Sequence, residues 1–247
     1  MGTGGELHSS HRHRGEQGYA QDMQLRTTDY QVKPRMNKPV HRITRRAILP
    51  ASFLALLSLS GCGGSAPPRP DELRGTPYNR PLEKPDFVLN SSAKEPFTFR
   101  KDTEGFVTLL FFGYTHCPDV CPIHMANIAA VLSTLPPRVA HQVKVVMVTT
   151  DPDRDTPERL RQWLDTFNPS FVGLRGTLDE VNAIQQGLGL PPASVYGEGD
   201  DYSVGHSARV IAFTRDNRAH VSYPFGTRQT DWAHDLPELV EGKWNPR

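Results

Sequence analysis

The chain has 247 residues, a formal net charge of +1 and 22% charged residues. That length suits one generous domain or two small ones, and the absence of a densely basic stripe excludes the usual nucleic-acid binder. Three cysteines is an odd count, so at least one does something other than pair within the chain.

The elements are taken in chain order. Residues 1–35 are poor in apolar side chains and lack periodicity. They read as a disordered upstream extension with Met36 as the start, although the HSSHRHR stretch has a metal-binding composition. Residues 36–61 carry the layout of a secretory leader: TRRAILPASFLALLSLSGCGGS, from Thr44, is basic, then apolar, then small. The apolar run is shorter than the roughly 20 residues that a bilayer span needs. A buried core helix is the alternative, but Pro50 and the flanking arginines argue for export. Leu59, Ser60, Gly61 and Cys62 resemble the bacterial lipobox, which makes Cys62 the expected lipidation site. The Arg45-Arg46 pair is compatible with Sec or twin-arginine export. Residues 62–85, rich in proline and glycine, read as a flexible linker. The expectation is a protein lipid-anchored at the extracytoplasmic face of the cell membrane, where stable anchoring takes more than one acyl chain.

Residues 86–247 read as one α/β domain. Residues 96–105 look like a strand running into an Asp/Gly turn. Residues 106–114, FVTLLFFGY, form a near-continuous apolar run of strand length, the mark of burial on both faces. Met125, Ile128, Ala129 and Leu132 then follow helical spacing, closed by Pro136-Pro137. Residues 143–151 give a second buried strand. Leu160, Trp163, Leu164 and Phe167 mark a helix, and Leu178, Val181, Ile184 and Leu188 mark another. SARVIAF and AHVSYPF flank a polar turn as a hairpin, and a last helix runs over about residues 230–240. Strands joined by helices and then an antiparallel hairpin predict a thioredoxin-like central mixed sheet flanked by helices. Nothing in the sequence demands more than a monomer.

Chemistry concentrates in FFGYTHCPDVCPIHM, residues 111–125, at a strand-to-helix junction. With Cys121 in the first helical turn, four-residue spacing brings its sulfur near that of Cys117. The free amides and helix dipole there favour thiolate, which both attacks disulfides and binds soft metals such as copper(I) or zinc. A stabilising disulfide is the bland alternative in an exported protein, although so short a loop constrains the unfolded chain little. His116 and His124 adjoin the motif and read as surface residues. His206, one step before the SARVIAF strand, is the better candidate for a third ligand, because strand ends of α/β sheets commonly open on ligand crevices; a surface or capping residue is the alternative at such a position. The DPDRDTP block, residues 151–157, imitates a calcium loop through Asp151, Asp153 and Asp155. Thr156 and Gln162 stand where that loop needs glycine and glutamate, so calcium is rejected. Thr156 before Pro157 reads instead as a helix N-cap with proline at N1, and the block as chiefly structural.

These residues resemble the Sco/SenC family of copper-binding proteins that assist cytochrome c oxidase assembly. The shared pattern is Phe111, Gly113, Tyr114, Thr115, Cys117, Pro118, Asp119, Val120, Cys121 and Pro122, joined by the 151–157 block and by residues 202–207. The similarity spans about residues 87–226. The resemblance implies that Cys117, Cys121 and His206 hold a copper ion. It implies a membrane-tethered metallochaperone that delivers copper to the copper-receiving subunit of the oxidase, at its CuA centre. Many family members have aspartate just before the histidine where this chain has Gly205, and Asp201, close in sequence, is a candidate substitute that the sequence alone does not settle. The second function class is a thiol–disulfide oxidoreductase using the redox-capable pair Cys117 and Cys121. Against it, reductases of this fold usually space their cysteines by two and carry a proline before the next core strand, which SARVIAF lacks. A peroxidase is weaker, since the cysteine context differs.

Overall fold

In this computed structural model the described residues are 72–197, 199 and 201–244. The expected leader and Cys62, the expected lipidation site, lie outside them. Among the described residues, ten strands and six helices follow in chain order. The first stretch is β1 (Thr76–Glu83), β2 (Val88–Ser91), β3 (Pro96–Thr98) and α1 (Phe99–Asp102). Then come β4 (Val107–Gly113), α2 (Val120–Thr134), α3 (Pro137–Ala140), β5 (Val143–Thr149), α4 (Pro157–Asp165) and β6 (Val172–Arg175). The last stretch is α5 (Leu178–Gly187), β7 (Ser194–Tyr196), β8 (Ser203–Gly205), β9 (Val210–Phe213), β10 (Arg218–Tyr223) and α6 (Gln229–Val240).

Eight strands form one sheet in the order β1-β10-β9-β4-β5-β6-β2-β3, and β7 and β8 pair separately. β4, β5 and β6 run parallel, while every other pairing is antiparallel. All seven residues of β4 are buried, as its unbroken apolar run requires. Side chains alternate across the sheet with period two. Val107, Leu109 and Phe111 join one core with Met125 and Ile128 of α2, Leu160 and Leu164 of α4, and Trp232 and Leu236 of α6. Leu110 and Phe112 join the other core with Phe99 of α1 and Val181 of α5. Helices thus cover both faces, the thioredoxin-like arrangement expected from the order of elements.

The helix starts follow local chemistry. Thr156 caps α4 by accepting from the Arg159 amide at 3.2 Å, with Pro157 at N1, as the sequence predicts. α5 opens with a capping box, in which Thr177 and Glu180 satisfy each other's backbone amides at 3.2 and 2.8 Å.

Residues 62–85 are read from sequence as linker, yet Thr76–Glu83 forms an edge strand paired antiparallel with β10. Pro77 and Pro81 disguise it, and an edge strand tolerates them because one side of its backbone needs no ladder partner. β1 is held at its start by a buried carboxylate. Asp235 accepts from the amides of Arg74 at 2.9 and 3.0 Å and Gly75 at 2.9 Å, and from the Tyr223 hydroxyl at 3.0 Å. β2 and β6, four residues each, are too short to carry a periodic signal.

Just past β1, Lys84 is 1% exposed and its Nζ donates to two neutral oxygens, Thr103 O at 3.2 Å and Thr103 Oγ1 at 3.0 Å. Burial, and then the nearby Arg100 charge, lower its pKa to about 8. Below pH 8 the lysine is charged whether the chain is folded or unfolded, so the folded protein carries the full cost of burying the charge. Between pH 8 and about 10.5 only the unfolded chain stays protonated, and the cost fades. Lys84→Met should therefore stabilise the domain by about 2 kcal/mol at pH 7, with the gain shrinking towards pH 10.5. Urea unfolding at both pH values checks this, and a gain independent of pH would refute it.

Candidate metal centre

Three loops converge at one end of the sheet because of strand register. Gly113 ends β4 beside Thr149, which ends the parallel β5, and β9 runs antiparallel to β4 with Ile211 opposite Leu110. The loop after β4, the loop after β5 and the segment entering β9 therefore meet at the carboxyl ends of the parallel strands. The first carries Cys117, the second residues 151–156, and the third His206.

Cys117 is half-buried and Cys121 fully buried, both as free cysteines. Cys121 lies in the first turn of α2, where its amide, without an intrahelical acceptor, approaches the Cys117 sulfur at 3.5 Å. Gly113 leaves room for the second sulfur, since an added Cβ would come 2.7 Å from Cys121 Sγ. His206 Nε2 lies 3.4 Å from the same sulfur. Its Nδ1 lies 3.0 Å from the Ser207 carbonyl oxygen. A carbonyl only accepts, so Nδ1 carries the proton and Nε2 turns its lone pair towards Cys121. Phe111 and Tyr114 set their rings nearly perpendicular to the imidazole, with centroids 5.7 and 5.6 Å away. The ligand atoms of Cys117, Cys121 and His206 all lie within 4.8 Å of one another. Two soft sulfurs and an imidazole suit copper(I), with zinc as the other chemical fit.

The two thiols are electrostatically unequal. A hydrogen bond from the Cys121 side chain is the largest cause that lowers the Cys117 pKa, to about 4, and the amides of Cys121 and Asp119 add to it. Burial, and then the Cys117 thiolate, push Cys121 far up. The pair holds one negative charge, and it sits on the accessible sulfur. In the full chain carrying Cys62→Ser, iodoacetamide at pH 6 should alkylate Cys117 at least about tenfold faster than Cys121. Mass mapping reads the ratio, and equal labelling would contradict this asymmetry.

The neighbouring histidines take other places. His124 is buried and its Nε2 meets the Ala208 carbonyl oxygen at 3.0 Å. It packs between Phe111 and Phe225, a core position rather than the surface one read from sequence, because it falls on the inward stripe with Cys121 and Ile128. Burial lowers its pKa. His116 is more exposed, 3.6 Å from Asp155. His116, Asp151 and Asp155 are also close enough to share an ion, but both carboxylates are already engaged. Asp155 accepts from Thr115 Oγ1 and Thr149 Oγ1, each at 2.6 Å, and Asp151 from Tyr202 and Arg154, also each at 2.6 Å.

Gly205 has a physical setting. β7 pairs with β8, and a Cβ at 205 would come 2.6 Å from Cε2 of the Tyr196 ring. Asp201 is exposed, and the acceptor that orients His206 is the Ser207 carbonyl. Sequence reading missed this oxygen, since backbone acceptors leave no compositional trace. It also missed Thr115 and Tyr202 as the anchors of their loops.

Against known proteins, the SCO1/SenC family model matches residues 76–241. A putative copper-binding protein of Stutzerimonas stutzeri is 32% identical over 161 residues, covering 64% of this chain and 78% of that protein. The mitochondrial protein SCO1 of Saccharomyces cerevisiae is 34% identical over 134 residues, 53% of this chain and 44% of that protein. Among solved structures, Bradyrhizobium japonicum ScoI with copper bound superposes with a TM-score of 0.57 at 30% identity. It covers 64% of this chain and 99% of the other.

Proposed function

Because this chain belongs to the SCO1/SenC family, we propose that it is an extracytoplasmic copper metallochaperone. In this reading Cys117, Cys121 and His206 hold the copper ion, and the protein passes it to the copper-receiving subunit of cytochrome c oxidase, at the CuA centre. The observation that carries the reading is the donor set itself: two sulfurs and an oriented imidazole within 4.8 Å of one another. Copper is cargo here. A set of only three ligands leaves room for a partner's thiolate to enter, and transfer proceeds by exchange of one ligand at a time. Half-buried Cys117 is the side from which an incoming ligand arrives, and buried Cys121 is the last to let go. The domain organisation proposed with it is a leader over residues 36–61, a lipid anchor on Cys62 and a tether into β1.

The sulfur asymmetry favours one second reading, a thiol–disulfide oxidoreductase acting on the receiving subunit's cysteines. Its nucleophile is Cys117, accessible and of low pKa, and its resolving thiol is Cys121. The deciding experiment is anaerobic copper(I) titration of the reduced full chain carrying Cys62→Ser. One equivalent per chain, lost in Cys117→Ser/Cys121→Ser, supports the chaperone. No binding by a chain that still reduces a target disulfide would leave the oxidoreductase.

A further inference from the structure

The loop between β5 and α4 contributes no ligand to the proposed centre, yet it touches both segments that do. Asp151 and Asp155 are buried, at 3% and 0% exposure, and they hold different segments. Asp155 grips the cysteine loop: Thr115 donates to it through its amide at 3.0 Å and its hydroxyl at 2.6 Å. Thr149 ties the same carboxylate back to β5 at 2.6 Å. Asp151 grips the histidine segment, accepting from the Tyr202 hydroxyl at 2.6 Å. The Arg154 Nε donates to the other oxygen of Asp151 at 2.6 Å, and its guanidinium lies 3.6 Å over the Tyr202 ring.

The histidine segment needs such a hold. It approaches β9 through β8, and among the described strands β8 pairs only with β7. A two-stranded ribbon is marginally stable on its own, so contacts to the main body decide where His206 stands. The cysteine loop, in contrast, is fixed between the central strand and a 15-residue helix. We infer that Asp151 and Asp155 form a bracket that sets the distance between the cysteine pair and His206, with Tyr202 and Arg154 as positioning residues for the imidazole. This rests on the three-ligand reading above. Tyr202 stands four positions before His206, so its tether acts on the metal through that histidine alone. Thr115 acts on the sulfurs.

A thermodynamic cycle tests the inference in the full chain carrying Cys62→Ser. Copper(I) affinity is measured by competition with a chromophoric chelator, and the copper(II) absorption and EPR spectra are recorded alongside. Tyr202→Phe removes one hydroxyl and keeps the ring under Arg154. It should lower copper(I) affinity about tenfold, the scale of one buried hydrogen bond to a charged group, and shift the copper(II) spectrum. In the His206→Ala background the same substitution should change affinity less than about twofold. Asp151→Asn, which keeps an acceptor for the phenol, should retain most of the affinity that Asp151→Ala loses. Thr115→Val loosens the cysteine limb and should weaken binding in both backgrounds, more where His206 is present. An equal loss from Tyr202→Phe in both backgrounds, or no loss in either, overturns the bracket. Copper binding that needs His206 yet ignores Tyr202 sinks the bracket alone, whereas binding indifferent to His206 removes the reading beneath it as well.

Discussion

His206→Ala should weaken copper(I) binding by at least about a hundredfold, the upper end of what even outer-shell changes cost at metal sites. The imidazole is pre-set: Ser207 fixes its proton on Nδ1, two aromatic rings hold its plane, and Nε2 already faces Cys121. Little ordering remains to be done when a metal enters, so removing it forfeits a ligand and its preorganisation together. Copper(II) should suffer more than copper(I), because imidazole suits the harder ion while the thiolates suit the softer one. The reactivity of Cys117 should survive, since its low pKa comes first from Cys121 and only later from His206. Chelator competition and iodoacetamide labelling of the same variant separate the two effects. A variant that binds both oxidation states as wild type does would remove His206 from the ligand set.

The second large effect concerns stability. Asp235 is 0% exposed, and its two oxygens accept from the amides of Arg74 and Gly75, from the Tyr223 hydroxyl and from His234 Nδ1 at 2.8 Å. Tyr223 titrates well above its ordinary value, through burial first and the Asp235 charge second. Asp235→Ala leaves these donors facing a void and frees the start of β1. The expected cost is about 3–5 kcal/mol, or a fall of roughly 10 °C in Tm for a domain of this size. Asp235 touches none of the three proposed ligands, so the folded variant should bind copper with wild-type affinity. Calorimetry and titration together check both halves. A cost below about 1 kcal/mol would mean that β1 is held by its ladder alone.

What the sequence made legible follows from how far each signal reaches along the chain. β4 and β5 stand out because burial on both faces leaves an uninterrupted apolar run. α4 stands out because Leu160 and Leu164 repeat on one stripe above a Thr-Pro start. β1 was hidden by its prolines, and β6 by its length of four residues with Gly173 inside, where a Cβ would meet Leu160 at 2.7 Å. The close approach of Cys117 and Cys121 was legible because four-residue spacing at a helix start is local geometry. His206 was legible only as a strand-end histidine, a common thing; the register of β9 on β4 brings it to Cys121 across 85 positions. The grip of Asp155 on Thr115 spans 40 positions, and neither residue type announces such a partner.

The outermost strands have a consequence for the company the domain keeps. β1 and β3 border the sheet, and an open border normally offers unpaired amides on which a neighbour's strand can crystallise. Here the borders are spoiled as templates. β1 carries Pro77 and Pro81 and slips register between Pro77 and Leu82, and β3 is three residues long and begins with Pro96. A proline has no amide to offer, and a bulge bends the row away from a straight partner. The same prolines that disguise β1 in the sequence leave the sheet a poor seed for aggregation.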